Sequence, residues 1–155
     1  MKFYHGGTTT LNFGGYGHSV GTGLWLTQNK DTAISYIDHR KENACLIQID
    51  VDLSKCNLIT FDYEGKPWSQ PPKEKGYEDC KTTDELVRQA KENGYDAVMF
   101  KNVSDMKGTF NKKFSMVKAA QPSTNIVITK EDQMKVLTGW YWKDLPIITE
   151  SYFNY

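Results

Sequence analysis

Residues 2–7, KFYHGG, and residues 21–37, GTGLWLTQNKDTAISYI, decide how this chain is read. Lys2-Phe3-Tyr4-His5 predicts a short first strand, and Gly6-Gly7 predict its end. The passage from there to Gly23 is rich in glycine and polar residues and reads as a loop, one that lets a ligand approach backbone amides closely. Leu24 to Thr27 predicts a second strand. Asp31 is then the expected N-cap of a helix from Thr32 to about His39, with Ala33, Ile34 and Ile37 forming its apolar face. A histidine in an apolar run is ordinarily a hydrogen-bonded structural residue. Here it opens a strand, loop, strand and helix unit studded with aromatics, which makes it a candidate ligand group.

Outward from that unit the pattern is strand-rich. Ala44 to Leu53 alternates in its second half as a half-buried strand does, the turn SKCN follows, and Leu58 to Phe61 adds a short strand. Tyr63 to about Thr82 holds Pro67, Pro71 and Pro72 and predicts an exposed loop, a candidate lid. Thr83 to Asn93 has early acids, late bases and a Gly94 stop, the signature of a helix aligned with its macrodipole. Ala97–Phe100, Phe114–Val117 and Asn125–Thr129 predict strands, and Lys130 to Leu137 a helical turn or short helix. The order lacks the strict alternation of a doubly wound sheet, so the class is α+β. Residues 1–138 form the expected domain. Residues 139–155 carry six aromatics and form an extension expected to pack back on it as a covering strand, or to offer a partner-binding surface.

With 155 residues the chain can bury one core without disulfide or metal staples. Lysine plus arginine and aspartate plus glutamate both number 19, so no global field attracts duplex nucleic acid. Cys45, Cys56 and Cys80 include no CxxC pair and read as reduced structural thiols, which points to a cytoplasmic setting, an infected host's included. No run approaches the ~18 apolar residues of a membrane span, so no membrane partner is expected. The passage FGGYGHSVGTG is neither GxGxxG nor a P-loop, and no nucleophile signature marks a Cys-His hydrolase. His5, His18, His39 and the cysteines miss metal-ligand spacings, so no metal is expected.

Taken in order, His5-Gly6 after an aromatic strand, the glycine loop, and Gly23-Leu-Trp-Leu-Thr27 followed after eight residues by Tyr36 resemble the ADP-ribosyltransferase superfamily. The resemblance is to its histidine-first branch, that of the diphtheria-toxin-like and poly(ADP-ribose)-polymerase-like enzymes. LVRQAKENGYDAVMF (86–100) is similar to a helix and strand common in small bacterial and phage members, and TNIVITKEDQMKVL (124–137) to the late strand and helix closing that domain. The likeness covers most of residues 2–137.

The resemblance implies a split β-sheet core with few short helices, NAD as co-substrate, and a mono-ADP-ribosyltransferase passing ADP-ribose to a protein or single-stranded nucleic acid. It implies that the Gly6 backbone binds the nicotinamide carboxamide, that His5 bonds a ribose hydroxyl on the adenosine side, and that Tyr36 stacks on the nicotinamide face. Trp25 stands where the family usually has the tyrosine of its His-Tyr-Glu triad. Ala33 stands where a small hydroxyl residue is common, leaving Thr27 to make that contact. Asn125 stands where the family has its catalytic glutamate; it can bond a ribose hydroxyl but offers no negative charge, so chain elongation is not expected.

Three function classes follow. The first is an active mono-transferase serving as a toxin or phage-encoded modifier, with His5, Trp25 and Asn125 as catalytic residues and His5, Gly6, Thr27 and Tyr36 as NAD contacts. A carboxylate from Glu78, Asp79, Glu131 or Asp132 is an alternative to Asn125, and an antitoxin or host partner goes with this reading. The second is a catalytically inactive module that binds NAD or a partner and inhibits a host system. The third is an interaction protein working through the aromatic tail.

Overall fold

The computed structural model describes residues 1–8, 21–37, 44–105 and 122–129 in full, and residues 137–142 and 149–153 as strands. Phe114–Val117, residues 130–136, His18, His39 and most of the glycine loop lie outside the described residues. The fold is α+β. Among the described residues eight strands form one mixed sheet in the order β4-β5-β6-β2-β1-β3-β7-β8. They are β1 (Lys2–Thr8), β2 (Leu24–Thr27), β3 (Ala44–Val51), β4 (Leu58–Asp62), β5 (Ala97–Val103), β6 (Ser123–Ile128), β7 (Leu137–Trp142) and β8 (Thr149–Phe153). Among the described residues the helices are α1 (Lys30–Ser35) and α2 (Thr83–Glu92), and a 3-10 turn, Leu53–Lys55, follows β3.

Strand alternation sorts the core. Phe3, Leu24, Leu26, Ile47, Ile49, Met99, Ile126 and Ile128 lie on one face in a single buried cluster, with Leu53, Cys56 and Leu58 packed against it. The opposite face carries both helices. Leu86, Val87 and Ala90 of α2 pack with Phe61, Val98, Phe100 and Val127, while Ala33 and Ile34 of α1 pack with Ala44, Leu46 and Tyr4.

α2 forms where its sequence says it should. The Thr82 side chain accepts the Glu85 N–H, Asp84 and Glu85 sit in the first turn and Lys91 in the last, and Gly94 takes φ +90° beyond the end. β4 and β5 are parallel, so they need a crossover, and α2 with the preceding loop provides it.

Several expectations are corrected. β1 does not end at Gly6-Gly7: it runs to Thr8, each residue from Lys2 onward registered against β3. α1 is shorter than expected and starts earlier, capped by Asn29, whose side chain accepts the Thr32 N–H. β3 stops at Val51, and β5 continues to Val103. The 63–82 loop is less exposed than its prolines suggest, since it buries Tyr63, Tyr77 and Cys80. Tyr63 bonds Thr83, and its phenol is pushed up to about 12, chiefly by burial, against the opposing Thr83 hydrogen bond. Leu137, expected to close a helical turn, opens β7, which pairs with β3, and β8 pairs with β7.

Candidate functional site

β1 meets β2 at one registered pair, Tyr4 opposite Thr27. The same antiparallel register carried on would set His5 against Leu26 and Gly6 against Trp25. Hydrogen bonds at the strand ends show which way each backbone edge points. Met1 donates its terminal nitrogen to the Val51 carbonyl at 2.9 Å and accepts the Val51 N–H at 2.9 Å. Odd-numbered residues of β1 therefore turn their peptide groups to β3, and Tyr4 and Gly6 turn theirs to β2. On β2, Gln28 donates to the Thr124 carbonyl at 2.8 Å, so even-numbered residues bond β6, and Trp25 and Thr27 face β1. The peptide edges of Gly6 and Trp25 thus face one another where the two strands have parted.

His5 spans this gap. Its Nδ1 lies 2.7 Å from the Trp25 carbonyl oxygen, and as a neutral ring it donates there, leaving Nε2 as an acceptor. A Cβ on Gly7 would sit 2.9 Å from Nε2, so the ring lies along the strand over that glycine. Burial holds the imidazole below its ordinary pKa, and the Trp25 carbonyl opposes the shift. Gly6 explains why α1 sits so close: an added Cβ would be 1.8 Å from the Ala33 carbonyl oxygen. Only a residue without a side chain lets the helix seat there.

Trp25, Thr27, Asn125 and Phe100 share the face that carries the helices, as their register shows; the His5 side chain leaves β1 from the other face. Trp25 is half-buried, stacked on Phe100 at 6.0 Å between ring centroids and edge-on to Trp68 at 5.6 Å, and its indole N–H donates to Thr22 Oγ1 at 2.9 Å. Its indole is thus anchored in the core. The Thr27 hydroxyl accepts the Asn29 N–H at 3.1 Å. Asn125 is buried, opposite Thr27, and its Nδ2 donates to Ser123 Oγ at 3.1 Å.

Tyr36 follows the last residue of α1, its N–H bonded to the Ala33 carbonyl at 3.1 Å. It keeps 37% of its surface open, while its phenol donates to Asp105 Oδ1 at 2.7 Å. Burial first, then the Asp105 charge and hydrogen bond, hold that phenol well above the ordinary range, so it stays a donor. Asp105 was not among the sequence candidates. It lies just past β5, buried to 4% exposure, in a stretch with no motif, and only the fold joins it to a residue 69 positions away.

The remaining candidates stand apart. Glu78 accepts the Gly76 N–H within its own loop, and Glu131 and Asp132 lie outside the described residues. All three cysteines are unbridged. Burial first, with the Asp96 and Asp52 charges, raises the Cys56 thiol, and burial first raises Cys80, so neither is an activated nucleophile. Among the described residues no group of three His, Cys, Asp or Glu side chains is placed to hold a metal ion, and no helix is long and apolar enough to cross a membrane. Neither a protein-family model, nor a curated protein, nor a solved structure matches this chain.

Proposed function

We propose that this chain is a mono-ADP-ribosyltransferase, built on a split sheet of the ADP-ribosyltransferase kind, that cleaves the nicotinamide–ribose bond of NAD and passes ADP-ribose to a macromolecular acceptor. One observation carries the reading: the Gly6 peptide edge faces a gap between β1 and β2, with the His5 ring across it. An amide group offers the same donor and acceptor pair as a missing strand neighbour. A carboxamide ring entering the gap completes the ladder at Gly6.

The rest of the chemistry is distributed over the neighbours. His5 Nε2 accepts from a ribose hydroxyl once Nδ1 is committed to Trp25. Tyr36, just past the helix that Gly6 holds close, offers an aromatic wall to a flat cationic ring. Asn125 orients a ribose hydroxyl without supplying charge. A general base is worth roughly 10²–10⁴ in rate, so single slow transfer fits this site better than chain elongation. Balanced charge favours a protein acceptor over duplex nucleic acid, and single-stranded nucleic acid is the other acceptor class. A toxin or phage-encoded modifier with its own antitoxin or host partner is the biological role that goes with it.

A second reading rests on Asn125, which is buried, uncharged and bonded to Ser123: an inactive module that binds NAD or a partner and inhibits a host system. Incubation of the full chain with NAD and cell extract separates the two. Nicotinamide release and an ADP-ribose adduct by mass spectrometry, both reduced in a folded His5→Ala variant, are expected of the transferase. NAD binding without either product gives the second reading. Failure to bind NAD overturns both.

A further inference from the structure

Asn125 offers no negative charge, and the buried carboxylate in hand meets Tyr36 instead. Asp105 accepts the phenol proton of Tyr36 at 2.7 Å. The carboxylate is 4% exposed while the tyrosine keeps 37% of its surface open. Such an arrangement does two things to the ring. It fixes its plane at the hydroxyl end, opposite the anchor that the Tyr36 N–H makes with Ala33. It also adds the field of a carboxylate to the ring's negative face, which strengthens attraction for a cation stacked on it.

We propose that Asp105 supplies the missing negative charge through Tyr36, as a positioning residue that makes the site prefer a pyridinium cation over a neutral pyridine ring. This rests on the reading of the gap as a nicotinamide site. It accounts for Asn125: the charge sits at the hydroxyl end of the stacking ring, on the nicotinamide side, and not beside the ribose. NAD, whose ring is cationic, is then held more firmly than released nicotinamide, whose ring is neutral, so product leaves without a competing hold.

The test is a pair of probes. Nicotinamide is neutral; its N-methylated pyridinium form has the same carboxamide and a full positive charge. Affinities of both are measured by calorimetry for the full chain and for Asp105→Asn, Tyr36→Phe and the double variant, each checked for an intact melting transition. The parent chain is expected to prefer the cation. Either single variant lowers cation affinity about three- to tenfold while the neutral ring stays within about twofold, and the double variant is no worse than the singles, since both break one bond. Should Asp105→Asn fail to fold, Tyr36→Phe breaks the same bond with the ring retained. Equal weakening of both probes, or none, overturns the proposal and leaves Asp105 a structural partner. Binding of neither probe by the parent chain overturns the nicotinamide site itself, a different result from the first.

Discussion

Replacing Gly6 by alanine tests the tightest approach at any described glycine. Neither Gly6 nor Gly7 has a positive φ, so the demand at both is for space alone. At Gly6 the new Cβ would lie 1.8 Å from the Ala33 oxygen, 2.8 Å from the Ala33 carbon and 3.0 Å from Ile37 Cγ1. Ordinary contact begins near 3.4 Å, so helix and strand must part by about 1.6 Å. The obstacle is backbone, and its oxygen already accepts the Tyr36 N–H, so no rotamer change relieves it. Overpacking costs about 1–3 kcal/mol, and a rigid obstacle puts Gly6→Ala at the upper end, about 3 kcal/mol. At about 2–4 °C per kcal/mol for a chain of this size, the melting temperature falls by roughly 6–12 °C. Gly7→Ala is the control. Its Cβ would lie 2.9 Å from His5 Nε2, the far end of a side chain that can turn. That cost is offset by the ~0.5–1 kcal/mol a β-strand gains on losing a glycine, so net stability changes by less than about 1 kcal/mol. Urea and thermal unfolding of both variants, followed by circular dichroism, measure the difference. A Gly6→Ala protein melting within about 2 °C of the parent, or a Gly7→Ala cost as large as that of Gly6→Ala, would refute the account of how α1 seats.

Three further outcomes follow from the same geometry. Thr82→Ala removes the acceptor of the Glu85 N–H at 3.2 Å and is expected to cost about 1 kcal/mol in urea denaturation, with Thr82→Ser close to neutral. His5 has a folded pKa below its unfolded value of 6.5, so the unfolded chain binds more protons between the two values. The stability this contributes is fully present above about pH 6.5 and is lost as pH falls toward the folded pKa. His5→Gln should flatten that part of the stability profile, and an unchanged slope would place the ring outside a desolvated setting. Nicotinic acid, which has no N–H to give a Gly6 carbonyl and brings a charge against it, should bind at least about tenfold more weakly than nicotinamide; equal affinities in a competition titration would count against docking on that edge.

The sequence made the local elements legible and left the long-range ones hidden, and particular residues show why. α2 could be placed because its cap, charges and stop lie within one stretch, Thr82 to Gly94. α1 offered two good caps, Asn29 and Asp31. The choice falls to Asn29 because Gln28 is still bonded to Thr124 of β6, so the chain leaves the sheet one residue later, a fact held in another strand. Gly6-Gly7 read as a stop because local chemistry cannot reveal that β3 pairs through them and that Ala33 needs the room. Residue order likewise brings His5 and Trp25 together without saying that the contact runs from imidazole to backbone carbonyl and that the two side chains leave opposite faces of the sheet.

Charge is the hardest property to place from order alone, because an ion acts through space and a strand alignment looks only along the chain. Alignment sends the search for a carboxylate to Asn125. The fold sets Asp105 against a phenol from the other half of the molecule, and nothing in the residues around Asp105 announces a site. A carboxylate beside the ribose would act on the reacting carbon; one at the hydroxyl end of a stacking ring acts on the departing ring instead, through a polarised aromatic face. Those two placements differ in what they stabilise, the ribosyl cation in one and the bound pyridinium in the other. The second strengthens binding of the cationic reactant and fades as the charge leaves the ring, so it contributes to binding and not to bond breaking. Asn125→Ala should therefore lower kcat with little change in KM, and Asp105→Asn should act mainly on KM, a division that steady-state kinetics on NAD can read directly.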